Sequence, residues 1–167
     1  MTDLPKKALS VRQPWAYAIL HLSKDVENRS WRPGNTGMNF RGPVCIHASS
    51  GLGREEYEDA ADSIRQICGK AVPPARDLPR GAIVGTVEIV DIVKESASPW
   101  FFGAIGLVLR NPQPITPIPA GGQLGFFRWS RYAGPLVEPA KWMLPKAETV
   151  SKPKAEPETL PLFGDLG

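Results

Sequence analysis

The chain has 167 residues, 42% of them apolar and 22% charged, an ordinary globular composition with enough apolar weight for one hydrophobic core. No stretch approaches the roughly 18 uninterrupted apolar residues of a membrane-crossing helix, and the first residues lack the charged start and long apolar run of a secretory signal. The two cysteines, Cys45 and Cys68, have no metal-ligand spacing, so the expectation is a cytoplasmic, reduced protein with no membrane contact, no cofactor and no metal site.

The net charge is only +3, but it is unevenly spread: residues 6–41 hold seven basic residues against Asp25 and Glu27, while residues 53–62 hold five acids against Arg54. Trp15, Trp31 and Phe40 are interleaved with the basic residues. Such a segment either attracts phosphate and offers rings to bases, or solvates a surface while its rings fill a core.

In chain order, Pro14 suits the first turn of a helix, where its missing N–H is not needed. Trp15, Ala18, Ile19 and Leu22 then form a helical apolar stripe, with Tyr17 and His21 on the other face. Residues 25–31, DVENRSW, read as a strand or extended loop. Alternation places Lys24, Val26 and Asn28 on one side and Glu27, Arg29 and Trp31 on the other. Residues 32–42 are rich in Gly, Pro and Asn and read as a loop. Residues 43–49, PVCIHAS, predict a strand with His47 at its end. Residues 53–68 place Tyr57, Ala60, Ala61, Ile64 and Cys68 at helical spacing, on an outer helix.

A proline-rich connection, 71–81, leads to the strongest predicted strand, 82–93, in which Gly85 signals a bulge or a close approach. Residues 104–115 predict another strand, closed by a turn at Asn111–Pro112. Residues 123–129 predict a third, alternating Leu124, Phe126 and Arg128 with Gly125, Phe127 and Trp129. Several strands with two helices imply an α+β fold built on a small barrel or sandwich. From residue 145 the composition turns to Lys, Glu, Pro, Ser and Thr, which predicts a disordered tail over 145–167 after a domain over 1–144.

Five segments in order, ALSVRQPWA, SKDVENRSW, RGPVCIHAS, GAIVGTVEIVDI and LRNPQPI, resemble the ASCH family, the activating-signal-cointegrator homology domain, over roughly residues 6–130. The resemblance implies a PUA-like small β-barrel with flanking α-helices, and beside it a positively charged cleft that takes RNA, single-stranded nucleic acid or a modified nucleoside. Ser10, Arg12, Gln13, Trp15, Lys24, Glu27, Asn28, Arg29, Arg41 and His47 are the candidate binding residues. An arginine contacts phosphate or guanine in a two-pronged geometry, and a lysine acts as a point charge. Glu27 either pairs with Lys24 or Arg29, or accepts from a base amine. Gln13 either reaches a ligand or makes a structural hydrogen bond, and Trp15 packs against the barrel. His47 is either a cleft residue or a hydrogen-bonding residue at the barrel end.

Two further readings come from the same residues. One branch of the family resembles an amidohydrolase of acetylated cytidine that uses a lysine, a threonine three positions later and a distant glutamate. Lys24 falls on that lysine, but Glu27 stands in the threonine's place, and Glu88, Asp91 and Glu95 compete for the third role. If the cleft is catalytic, Lys24 and Glu27 are the catalytic candidates. A metal-dependent ribonuclease, the other hydrolase reading, lacks a compact His/Asp/Glu cluster in this sequence. Finally, TLPLF at 159–163 is similar to the peptides that dock bacterial proteins on the replication sliding clamp, with Leu160, Leu162 and Phe163 as anchors and Thr159 where glutamine is usual. It implies an adaptor role, and the alternative is an apolar cluster that folds back on the barrel.

Overall fold

In the computed structural model, which describes residues 3–32 and 34–145, six strands form a single curved sheet. In chain order the elements are β1 (Lys7–Val11), α1 (Trp15–His21), β2 (Val26–Arg29), β3 (Gly42–Ala48), α2 (Arg54–Cys68), β4 (Ala82–Val93), β5 (Ile105–Pro119) and β6 (Phe126–Arg128). Short 3-10 turns lie at Thr36–Asn39, Ala75–Asp77 and Lys141–Met143. The sheet order is β2-β5-β4-β3-β1-β6, a half-barrel flanked by the two helices, which is the α+β, PUA-like architecture. Every pairing is antiparallel except β1 with β3.

Strands β1 and β3 are covered on both faces. Leu9, Val44 and Ile46 join Ile19, Ile89 and Leu107 in the main core, while Ala8 and Cys45 turn to a second cluster with Ile83 and Phe127. Such strands read as continuous apolar runs and not as alternation. β1 is therefore the element that sequence reading passes over. Helix α2 buries Ala60 and Ile64, and Ile64 meets Val26 and Trp100 in a third cluster. Burial in the second cluster raises the Cys45 thiol pKa to about 11, so it stays protonated.

Three expectations are corrected. Pro14 precedes the helix instead of opening it, with its carbonyl accepting from the Ala18 N–H. β5 does not end at Asn111–Pro112. Thr86 pairs with Gln113 and Glu88 with Arg110, so two residues of β5 oppose Val87 in a bulge, and Asn111 takes a left-handed φ of 55° there. A proline fits where no ladder hydrogen bond is required. The strand expected over 123–129 shrinks to three residues, because 121–125 forms a loop. Gly85 makes both a register shift and a close approach: a Cβ there would lie 2.6 Å from Leu20 Cδ2.

Candidate functional site

Parallel pairing sets Ser10 directly beside His47. His47 is 2% exposed, and its Nε2 lies 2.7 Å from the Ala120 carbonyl, while Nδ1 lies 2.9 Å from Ser10 Oγ. A carbonyl only accepts, so Nε2 carries the hydrogen and Nδ1 accepts from the serine hydroxyl. Burial lowers the His47 pKa, against the smaller opposing effect of the Ala120 hydrogen bond, and favours this neutral ring. Gly122 closes over the pair. A Cβ at that position would sit 2.6 Å from His47 Cε1 and 2.7 Å from Ser10 Oγ, so only glycine lets the 121–125 loop lie so near.

Arg29, at the end of β2, donates from Nη2 to the Ser10 carbonyl at 2.6 Å and stands 3.5 Å from Glu27 Oε2. Its Nε is buried and, among the described residues, has no hydrogen-bond partner. The other Glu27 oxygen accepts from Lys24 Nζ at 2.9 Å. The Lys24 side chain is 2% exposed and also donates to the Val26 carbonyl, with its ammonium 5.7 Å from the Trp15 ring. Two cations thus share one carboxylate, and the uncompensated charge falls toward Arg29. Arg80 adds another buried guanidinium, held by the Ser50 and Glu138 carbonyls and, among the described residues, by no carboxylate; burial lowers its pKa.

Two recesses meet at Arg29. The first, about 710 Å³, is walled by Trp31, Phe40 and Phe126, with Lys7 Nζ 4.5 Å above the Phe40 ring. Phe126 packs edge-on against Trp31 at 5.5 Å and tilted against Phe40 at 4.8 Å between centroids. The second, about 510 Å³, is lined by Ser10, Arg12, His47, Ser49 and Ser50. Leu124 and Gly125 border both. The two recesses thus adjoin, the first with three aromatic rings in its wall and the second with Arg12, His47 and three serines. Among the described residues no group of three or more His, Cys, Asp and Glu side chains could hold a metal ion, and no helix is long and apolar enough to cross a membrane.

The model of the ASCH domain matches residues 9–116, a span that contains most of β1, all of β2 to β4, both helices and most of β5. The chain belongs to the ASCH family. Relatives include activating signal cointegrator 1 of Homo sapiens, 31% identical over 120 residues, and that of Mus musculus, 28% identical over 120 residues. Each match covers 64% of this chain and 19% of the relative, so the chain spans about a fifth of the length of these curated proteins.

Within this ASCH domain, Ser10, Arg12, Arg29 and His47 come together in the cleft. Arg12 is fixed there by a two-pronged pair with Glu56 of α2, both bonds 2.7 Å, which raises the arginine pKa and lowers that of the carboxyl. The other sequence candidates lie elsewhere. Gln13 is buried, with its amide nitrogen donating to the Pro79 carbonyl and its oxygen accepting from Tyr17 N–H. Trp15 packs against two core clusters. Asn28 bonds the Trp100 carbonyl and the Phe102 N–H, on the side of β2 opposite Glu27 and Arg29. Arg41 faces Asp91 at 3.4 Å and the carbonyls of Met38 and Phe40.

Lys24 and Glu27 form the buried pair described above, and Lys24 borders a separate recess of about 290 Å³ with Asp25 and Arg110. Leu160, Leu162 and Phe163 lie outside the described residues. The residues that sequence reasoning missed are Lys7, Phe126 and the 121–125 loop. For Phe126 and the loop the signal was the pattern GGQLGFF, glycines on both sides of one leucine just before a strand.

Proposed function

We propose that this ASCH domain binds nucleic acid, with RNA, a single strand or a modified nucleobase as the ligand of its cleft. The observation that carries the reading is Arg29, a cation with an unpartnered Nε at the junction of an aromatic recess and a polar one. Guanidinium groups recognise phosphate in a directed geometry, and rings accept the face of any base. Lys7 and Arg12 extend the positive lining on either side of that junction.

The test is a titration of the full chain with labelled RNA and DNA by fluorescence anisotropy at several salt concentrations. Arg29→Gln should weaken binding about tenfold and make the salt dependence shallower by about one unit of slope. Arg41→Gln, outside the cleft, should weaken it much less. Equal effects of the two substitutions would mean a diffuse basic surface and would refute the cleft. The same samples, with N4-acylated cytidine included, are followed for product. Turnover that vanishes in Lys24→Met would replace binding with hydrolysis as the function.

A further inference from the structure

Leu124 is 97% exposed, the most solvent-accessible large apolar side chain among the described residues. Scattered exposed leucines are ordinary, but this one borders both recesses, beside Arg29. Its backbone is fixed at both ends. Gly122 is wedged against His47 and Ser10, Gly125 takes a φ of +67° open to glycine, and Phe126 next pairs with Leu9. The fold therefore holds an apolar group out in water at the mouth of a cationic cleft.

We propose that Leu124 is a wedge: it packs on one unpaired base seated in the Trp31–Phe40–Phe126 recess while Arg29 takes the adjoining phosphate, so that the cleft selects single-stranded or locally unpaired nucleic acid over continuous duplex. The inference rests on the nucleic-acid reading above and adds the form of the ligand. Bases inside a duplex are stacked on both faces and must be extruded to enter a recess, which penalises duplex. Apolar side chains that enter base stacks do so from positions where the protein has left them uncovered. The lining is cationic as well, with Lys7 at the aromatic end and Arg12, two of whose nitrogens are held by Glu56, at the polar end.

The test compares a fluorescein-labelled short single-stranded RNA with the same RNA annealed to its complement, using the full chain. The wild type should bind the single strand more tightly. Leu124→Ala should lower single-strand affinity about fivefold, the loss expected of one apolar contact to a base, with no change in thermal midpoint or in salt dependence. Leu124→Met should restore most of it. Wild-type affinity in Leu124→Ala, or duplex bound as tightly as single strand by the wild type, overturns the wedge and leaves the cleft standing. Failure of the wild type to bind either RNA overturns the wedge, and failure to bind DNA and the acylated nucleoside in the titration above overturns the nucleic-acid reading as well.

Discussion

His47 couples the cleft to pH. Its pKa in the folded protein lies below the ordinary 6.5, so the unfolded chain binds the proton more readily. Stability is then fully present above pH 6.5 and falls as the pH drops below that value toward the folded pKa. Urea unfolding should show this loss as the pH is taken below 6.5. His47→Asn should flatten that window, while the part due to Glu56, whose lowered pKa starts from 4.5, appears only at lower pH. At the same scale, the Glu27–Arg29 side of β2 was legible from strand alternation. The course of Lys24 was not. Ser23 adopts a φ of 63° and the Lys24 N–H bonds back to the Ala18 carbonyl, so Lys24 belongs to the helix end, from which its ammonium reaches the Glu27 face.

Elements with a clean period were readable: α2 and β4 appear almost where the apolar spacing puts them. The misses share a cause, since each depends on a neighbour distant in sequence. β1 is buried on both faces by strands that follow it, and the Asn111–Pro112 turn signal yields to a ladder with β4 that absorbs it as a bulge. Gly85 is where this ladder and α1 press together. Gly85→Ala would bring its Cβ to 2.6 Å from Leu20 Cδ2 and 2.7 Å from the Gln113 carbonyl oxygen. The flexible leucine tip can yield but the backbone carbonyl cannot. The variant should lose about 2 kcal/mol in equilibrium urea unfolding, the usual cost of overpacking. Retention of wild-type stability would mean that β5 shifts freely at its bulges.

Across the whole molecule, the cleft draws on β1, β2, β3 and the 121–125 loop, and the described residues that follow β6 are tied back through Arg80 to the Glu138 carbonyl. The composition change near residue 145 predicts a domain boundary after these ties. A chain ending at Lys146 should therefore keep its thermal midpoint and its RNA affinity, both within error of the full chain. A marked fall in either would mean that the remaining residues belong to the domain. The sheet order carries one more consequence. β1 lies between β3 and β6, with Lys7 set against Arg128. On the ribosome the first strand emerges long before its last partner exists, and one edge of it waits with unsatisfied backbone groups. Until translation has passed β6 that edge stays unpaired, so the recess walled by Phe126 takes shape only once the last strand has been made.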